Sequence, residues 1–166
     1  MDAKSPPPSD VLSLSIDSEE ATVRLAQALA PHLGPSDIVL LDGALAAGKT
    51  FFVRALVDCL KTDDHVSSPT YTIANIYQTA ICDVLHVDAY RLSDAQEFYN
   101  LGLDTQIDES ICLIEWGSRI APAFDEYLQI SIAFADDADD ARIFEISHVG
   151  RRWPDVIGAL KTESAD

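Results

Sequence analysis

Basic residues are scarce in this sequence: 11 lysines and arginines stand against 28 aspartates and glutamates, for a formal net charge of −17. A surface of that sign repels a phosphate backbone, so we do not expect the bulk of the chain to bind nucleic acid directly. If a nucleic acid takes part in the function, we expect a partner protein to hold it. The charge is equally consistent with an acidic, soluble protein that has no such role.

Long apolar runs are also missing. No apolar stretch approaches membrane-spanning length, and residues 1–10, MDAKSPPPSD, lack the apolar core of a signal peptide. We therefore expect a cytoplasmic protein with no membrane association. Cysteine is rare, and Cys59, Cys82 and Cys112 are odd in number and widely spaced in apolar patterns. They are typical of buried thiols in a reducing compartment rather than of a disulfide framework or a metal site.

Clustered histidine or cysteine metal motifs are absent, because His32, His65, His86 and His148 are scattered along the chain. Lone histidines are more often structural or surface residues than ligands. His86 is the exception worth testing, since it lies inside a motif described below. Internal repeats are absent as well.

The octapeptide GALAAGKT at Gly43–Thr50 fits the phosphate-loop pattern G-x-x-x-x-G-K-[ST]. It follows the apolar run Ile38–Leu41 after a single Asp42, which places it between a predicted strand and a predicted helix. Glycines allow the backbone N–H groups to surround a phosphate, Lys49 adds a positive charge, and the Thr50 hydroxyl can ligate Mg²⁺. A ligand-free turn rich in glycine and alanine is the alternative. We predict a nucleoside triphosphate site with Mg²⁺.

Apolar patterning predicts an α/β fold. Strands are expected at 11–16, 38–41, 72–79, 81–87, 111–114, 127–134 and 143–149, and helices at about 18–33, 49–60, 94–101 and 154–160. This order indicates a P-loop NTPase-like layered sheet with flanking helices, a mixed sheet with a late antiparallel hairpin. We expect a disordered lead-in at 1–10, one nucleotide-binding domain at 11–161 and a tail at 162–166. The acidic tip 136–140 between the last two strands is interpreted as a solvated loop rather than a cation site.

Two carboxylates follow apolar strands: Asp88 comes after Val84–Val87, and Glu115 after Ile111–Ile114. Ligands of such sheets lie beyond the carboxyl ends of the strands, where a carboxylate can hold Mg²⁺ or orient the attacking water. Either residue taken alone is equally consistent with a surface carboxylate. The hydroxyl-rich segment Ser67–Thr72 is the third element, interpreted either as a switch-like loop that reaches the γ-phosphate or as an ordinary turn.

The ordered set of motifs resembles the bacterial ATPases of tRNA threonylcarbamoyladenosine synthesis, the TsaE (YjeE-like) proteins. The resemblance spans roughly residues 11–155. Its motifs are GALAAGKT, SSPTYTIANIY at Ser67–Tyr77, HVDAYRL at His86–Leu92, EFYNLGLD at Glu97–Asp104, LIEW at Leu113–Trp116 and the tail Gly150-Arg151-Arg152-Trp153.

The resemblance implies roles for particular residues. Thr50 and Glu115 would bind Mg²⁺, Asp88 and Glu115 would serve hydrolysis, and Thr70 would belong to the switch-like loop, while Trp116 and Tyr90 would lie near the site. The residues implied to bind ATP are Glu19, at the border of the base, and Gly43, Ala44, Leu45, Ala46, Ala47, Gly48, Lys49, Thr50 and Phe51.

The resemblance also implies a partner. Such ATPases bind a two-subunit threonylcarbamoyl transferase of the sugar-kinase-like fold, and their hydrolysis of ATP resets that complex, so tRNA would be met only through the partner. The family's loop usually reads G-D-L-G-A-G-K-T, whereas Ala44 and Ala46 stand here for the Asp and the middle Gly. Ala46 would be strained if its position is left-handed. We expect nucleotide binding to persist.

Other classes of nucleotide-binding protein are possible. A GTPase is poorly supported, because Asn75 and Asn100 are followed by Ile and Leu rather than by the guanine-reading N-K-x-D. A small-molecule kinase would use the same loop, with Arg119 or Arg151-Arg152 as a lid. A nucleotide-gated adaptor with little turnover is the third possibility, which Ala46 keeps open.

Overall fold

The structure is a computed structural model that describes residues 11–69, 73–135 and 140–164. Within these ranges, seven strands form one sheet in the order β1-β7-β6-β2-β5-β4-β3. The strands are β1 (Leu12–Ile16), β2 (Ile38–Gly43), β3 (Ala74–Tyr77), β4 (Asp83–Asp88), β5 (Ser110–Glu115), β6 (Tyr127–Phe134) and β7 (Arg142–Val149).

The centre of the sheet is parallel and its margins are antiparallel. β2 lies between β5 and β6 and is parallel to both, and β4 is parallel to β5. β6 and β7 form the predicted late antiparallel hairpin, while β1 and β3 add antiparallel strands at the two edges. The predicted α/β fold with a mixed sheet is confirmed. Because β2, β4 and β5 run the same way, their carboxyl ends meet at one edge of the sheet.

Helices cover both faces of this sheet. They are α1 (Glu19–Leu29), α2 (Lys49–Cys59), α3 (Ala95–Asn100) and α4 (Pro154–Ser164). Val39 and Leu41 of β2 belong to one core together with α1, α2 and α4, whereas Ile38 and Leu40 belong to the other, together with α3. Alternation along a strand sends successive side chains to opposite faces, so a continuous apolar run is what a strand covered on both sides requires.

α1 is shorter than the sequence pattern predicts. It ends at Leu29, and a 3₁₀ turn at Ala30–His32 follows, where an unbroken helix to about Leu33 was expected. Pro31 explains the difference, because proline has no N–H for the helical bond and its ring clashes with the preceding turn. The helix begins as predicted, with the Ser18 hydroxyl accepting from the backbone N–H of Ala21 at 3.1 Å.

The buried stripe of α1 also differs. Apolar spacing in the sequence predicts a buried stripe of Ala21, Leu25, Ala28 and Leu29. The structure buries Leu25 and Leu29 of this set, together with Thr22 and Ala26. The other two residues expected on that stripe, Ala21 and Ala28, are half-buried against the core. The apolar pattern located the helix, and packing against α2 and α4 in one core decided which of its small residues are buried.

The last helix is longer than the sequence pattern predicts. α4 extends to Ser164, whereas the helix was expected to end at about residue 160. The lead-in 1–10 and all of the acidic tip except Asp140 lie outside the described residues, as does Thr70. None of the helices in the described ranges has the length and apolar character that crossing a bilayer requires.

Candidate functional site

The phosphate loop joins the carboxyl end of β2 to the start of α2, as predicted. Gly43 is the last residue of β2, and a Cβ at that position would lie 2.6 Å from the backbone oxygen of Ile132 in β6. Only glycine allows the loop to leave the sheet so close to its neighbour. Gly48, with φ of 111°, is the N-cap of α2 and turns the chain into the helix. The loop therefore ends with the N–H groups of α2 directed at its own concavity.

Lys49 lies inside this loop. Its side chain is 6% exposed, and Nζ donates to the backbone oxygens of Gly43 at 2.6 Å and Ala44 at 3.0 Å. Burial lowers the pKa of Lys49 below its ordinary value, while the carboxylates of Glu115 and two further aspartates, Asp42 and Asp88, act in the opposite direction. A phosphate in the loop would supply the counter-charge that the buried ammonium group needs.

Ala46 adopts the left-handed conformation, with φ of 65°. A side chain there brings Cβ close to the carbonyl oxygen, which costs roughly 1–2 kcal/mol relative to the right-handed form. The resemblance had marked this position as one where the related loop carries glycine. The loop thus keeps its glycine-type backbone although the residue is alanine, and it holds that conformation under strain.

Thr50 and Glu115 meet at the mouth of the loop. The Thr50 hydroxyl lies 2.9 Å from Oε1 and 3.1 Å from Oε2 of Glu115, although 65 residues separate the two in sequence. Glu115 is the last residue of β5, 5% exposed, and it is placed here because β5 lies beside β2. The structure thus brings together the two residues that were expected to bind the metal.

His86 lies directly behind Glu115 and is fully buried. Its Nε2 is 2.6 Å from Glu115 Oε2, and its Nδ1 is 3.2 Å from the Tyr77 hydroxyl. The sequence singled out His86 without assigning it a partner, and Tyr77 was not considered. The only local signal was a histidine at a core-facing position of an otherwise apolar strand.

Asp88 lies next to Glu115, since the two residues are register partners at the ends of β4 and β5. Its Oδ1 accepts from the backbone N–H of Tyr90 at 2.9 Å. This bond fixes the orientation of a half-buried carboxylate at the carboxyl edge of the sheet. The two residues predicted to serve hydrolysis are therefore neighbours, whereas Thr70 of the expected switch-like loop lies outside the described residues.

Aromatic side chains border the loop on the side of β5. Lys49 Nζ lies 4.1 Å from the centroid of the Trp116 ring, and the Tyr90 ring is 5.1 Å from that of Trp116. Arg119 stacks over Tyr90 at 5.2 Å. Both aromatic residues lie near the site, as the resemblance implied, and the cationic Lys49 over an indole is a contact that a phosphate would compete with.

Arg152, suggested as part of a kinase-like lid, lies elsewhere. Its guanidinium group is bound to the Asp37 carboxylate at 3.1 and 3.2 Å and also contacts the backbone oxygen of His32. Asp37 precedes β2, whereas the phosphate loop follows it, so this ion pair is at the opposite end of the strand. Arg152 joins the start of β2 to the residues before α4 and cannot cover a transferred phosphate.

A pocket of about 220 Å³ adjoins the loop on its other side. It is formed by the start of α1, the loop, α2 and β7, and its lining includes Glu19, Ala46, Gly48 and Phe51. Arg142 of β7 closes the pocket and donates through Nε to the Ala47 oxygen at 3.1 Å. No motif in the sequence identifies Arg142 as part of this site. A larger cavity of about 600 Å³ lies between β1, α1 and α4, but no residue of the phosphate loop lines it. We therefore locate the candidate site by the residues around the phosphate loop and not by cavity volume.

The remaining residues of the phosphate loop differ in how far their side chains are exposed. The Leu45 side chain is 84% exposed at the loop tip, while Ala47 is buried and Ala44 exposed. Any contact of Leu45 with a phosphate would therefore be made by its backbone. Asp42, just before the loop, accepts from Ser118 Oγ at 2.9 Å and from the side chain of Gln129, which ties the loop to its neighbours.

The residues present fit Mg²⁺ bound together with a nucleotide. In the described part of the chain no group of three or more His, Cys, Asp or Glu could hold a metal ion. The Thr50 hydroxyl and the Glu115 carboxylate do form an all-oxygen pair beside the loop. Mg²⁺ prefers this type of donor set, one or two protein oxygens completed by substrate phosphates and water, to a cage of protein ligands.

Comparisons with known proteins agree with this geometry. The family profile described as "Threonylcarbamoyl adenosine biosynthesis protein TsaE" matches residues 16–144. The crystal structure of Bacillus subtilis YdiB is similar over 93% of this chain and 96% of that chain, with a TM-score of 0.78 and 29% sequence identity.

Two relatives carry the name tRNA threonylcarbamoyladenosine biosynthesis protein TsaE. The one from Bacillus subtilis is 36% identical over 136 residues, 81% of this chain and 84% of the relative. The one from Rickettsia felis is 40% identical over 108 residues, 64% of this chain, and the match spans 63% of the relative's length. One conclusion follows from the profile, from these relatives and from the glycine-rich loop whose Thr50 contacts Glu115. The chain belongs to the TsaE family of tRNA threonylcarbamoyladenosine biosynthesis proteins.

Proposed function

We propose that this chain is a Mg²⁺-dependent ATPase that supports tRNA N6-threonylcarbamoyladenosine formation. It would bind a two-subunit threonylcarbamoyl transferase and reset it between turnovers through ATP binding and hydrolysis. The observation that carries the proposal is the contact of Thr50 with Glu115, at 2.9 and 3.1 Å, beside the buried ammonium group of Lys49. A hydroxyl, a carboxylate and a lysine around a glycine-rich loop are the parts that nucleoside triphosphate hydrolysis requires.

Each part has a separate task. The loop N–H groups and Lys49 would bind the phosphates, and Thr50 with Glu115 would hold Mg²⁺. When bound, Mg²⁺ would neutralise charge on the β- and γ-phosphate oxygens. Asp88, held by the N–H of Tyr90 at 2.9 Å, would orient the attacking water. Glu19 and Phe51 would border the base, in the pocket that continues from the loop.

The proposed partners follow from charge and from the names of the relatives. With 28 acidic against 11 basic residues the chain is poorly suited to hold tRNA itself. Relatives named for tRNA threonylcarbamoyladenosine biosynthesis nevertheless associate the family with a tRNA product. A role as the protein that contacts the transferase, while the transferase holds tRNA, reconciles the two observations.

The test is ATP hydrolysis by the purified chain, alone and with the reconstituted transferase pair. We expect activity that rises with the pair and vanishes in Lys49→Ala. Binding of ATP without hydrolysis in either condition would favour the second candidate, a nucleotide-gated adaptor, which the strained φ of 65° at Ala46 supports. Strong acceleration by a small phosphate acceptor would instead favour a kinase.

A further inference from the structure

An uninterrupted series of side-chain contacts leads from the phosphate loop to a loop on the far side of β4. Thr50 contacts Glu115 at 2.9 Å, Glu115 contacts His86 at 2.6 Å, and His86 contacts Tyr77 at 3.2 Å. The Tyr77 hydroxyl then donates to the backbone oxygen of Ser67 at 2.9 Å. We call these five residues the polar chain.

The middle of the polar chain is shielded from water. His86 is 0% exposed and Tyr77 is 3% exposed. Polar groups at such depth have only protein partners, and each lost hydrogen bond leaves a buried group unsatisfied. A movement of the buried Glu115 side chain is therefore taken up by its protein neighbour His86 rather than by solvent.

The Tyr77 hydroxyl is the branch point. It carries one proton and has two acceptors within reach, His86 Nδ1 and the Ser67 oxygen. Its own oxygen accepts from the Ser67 N–H at 3.3 Å and from Asn75 Nδ2 at 3.4 Å. Because a carboxylate only accepts hydrogen bonds, His86 donates through Nε2 to Glu115, and in the neutral ring Nδ1 is then an acceptor. Rotation of this hydroxyl directs its one proton either to His86 Nδ1 or to the Ser67 oxygen, while the hydroxyl oxygen itself accepts from the Ser67 N–H. The two positions of this proton give the polar chain two discrete arrangements. Coupling between distant groups requires an element with two such arrangements.

A second connection holds the other end of the same segment. Ile73 donates its N–H to the Pro69 oxygen at 2.7 Å, and its own oxygen accepts from the N–H of Asp88 at 2.8 Å. Val66 and Pro69 are buried, so the segment is anchored in the core as well. Hydrogen bonds therefore connect residues 66–69 both to Glu115, through His86 and Tyr77, and to Asp88, through Ile73.

We propose that His86 and Tyr77 are positioning residues that couple the Glu115 carboxylate at the phosphate loop to the segment 66–69. A change in the orientation of Glu115 and a change in the hydrogen bonding of Ser67 then occur together. The effect on turnover rests on the proposed function, whereas the coupling itself rests only on the contacts given above.

The coupling is tested without nucleotide, by hydrogen exchange of the amides at 66–68. Glu115→Gln alters the polar chain at its loop end, and we expect exchange at 66–68 to change at least threefold. In a Tyr77→Phe background the same substitution should leave that exchange unaltered. No response in the wild-type background, or an equal response in both, would overturn the proposal.

Tyr99→Phe is the matched control. It also removes one phenol hydroxyl that donates to a backbone oxygen, that of Ala123 at 2.8 Å, but it lies outside the polar chain. The response to Glu115→Gln should persist in this background. If Glu115→Gln does not fold, Thr50→Val perturbs the same end by removing the hydroxyl, with the same two outcomes expected.

Turnover provides an independent measurement. Tyr77→Phe should lower kcat about tenfold and leave the Kd for ATP within about twofold, whereas Tyr99→Phe should change neither. A purely structural role for Tyr77 would lower the thermal stability without separating kcat from Kd, and that result would contradict the proposal. If the wild-type chain hydrolyses no ATP, the proposed function fails while the exchange result still decides the coupling.

Discussion

The Thr50 hydroxyl lies within 3.1 Å of both carboxylate oxygens of Glu115, which joins the first turn of α2 to the end of β5. Neither residue is close to the other in sequence, and no local propensity brings them together. Their contact depends on β5 being the neighbour of β2 in the sheet. This relationship turns a loop motif into a candidate hydrolytic site.

Removing either member of this pair should separate turnover from binding. We expect Thr50→Ala and Glu115→Gln to lower kcat at least 100-fold, about 2.7 kcal/mol of transition-state stabilisation. The Kd for ATP of Glu115→Gln should remain within about threefold, since the loop and Lys49 still hold the phosphates. Steady-state hydrolysis and calorimetric titration measure the two quantities, and normal rates in either variant would refute the assigned roles.

Ala46→Gly should stabilise the fold. The left-handed φ of 65° costs an alanine roughly 1–2 kcal/mol, and glycine removes that cost. Part of the gain is lost to the extra freedom of glycine, so we expect a net gain of about 1 kcal/mol in the free energy of unfolding. Ala44→Gly, at a loop position without positive φ, is the control and should not stabilise the fold. Urea denaturation measures both variants, and an unchanged or lower midpoint for Ala46→Gly would contradict the strain argument.

Trp116 should report nucleotide binding by fluorescence. Lys49 Nζ lies 4.1 Å from its ring centroid, and a phosphate that draws this ammonium group away changes the field at the indole. Trp153, the other tryptophan, lies in the core among α1, α2 and α4. We expect Mg-ATP to change the emission of the wild-type protein and also of the Trp153→Phe variant, which keeps Trp116. The signal should vanish in Trp116→Phe. A response that survives there and disappears in Trp153→Phe would show that the reporter was misassigned.

Gly117→Ala should destabilise the fold by about 1–3 kcal/mol through overpacking. A Cβ at this position would lie 2.6 Å from Leu40 Cβ and 3.0 Å from Leu40 Cα, in the central strand of the sheet. The control is Gly158→Ala in α4, where no atom lies within 4 Å of the new Cβ. Alanine there should add up to about 1 kcal/mol of stability, because it is a better helix former. Urea denaturation compares the midpoints, and equal midpoints for the two variants would contradict the packing argument.

Alkaline pH should destabilise the protein in part through Cys112. Burial raises the pKa of this thiol from 9.0 to about 12, so between these values the unfolded state has lost a proton that the folded state retains. The stabilising contribution is complete below pH 9 and decreases towards pH 12, by up to about 1.4 kcal/mol per pH unit. Denaturation at several pH values should show a shallower loss for Cys112→Ala. The same slope in both proteins would assign the loss to other groups.

Local chemistry in the sequence predicted much of this structure. GALAAGKT between an apolar run and a helix pattern identified the loop, and the starts of α1 and α3 were predicted to within one residue, at about 18 and 94. The buried strands were identifiable because Ile38–Leu41 and Ile111–Ile114 are apolar without interruption. Each of these signals lies within a few residues of the structure it specifies, where propensity and side-chain to backbone bonds act.

What the sequence left open is non-local. Patterning placed Asp88 and Glu115 at strand ends but did not say that β4 and β5 are adjacent, which makes the two carboxylates neighbours. It singled out His86 without its contacts to Glu115 and Tyr77. It also marked Ala46 as a possible point of strain, but only the backbone shows that the strained conformation is adopted.

The sequence by itself determined a phosphate loop, the strands that flank it and the carboxylates available to it, because those features arise from short-range sterics and apolar periodicity. Only the tertiary structure decided that Thr50, Glu115, His86 and Tyr77 form one continuous set of contacts. The physical reason is the order of strands in the sheet. That order is set by burying both faces of β2, β5 and β4 at once, an energy shared by the whole core and encoded at no single position.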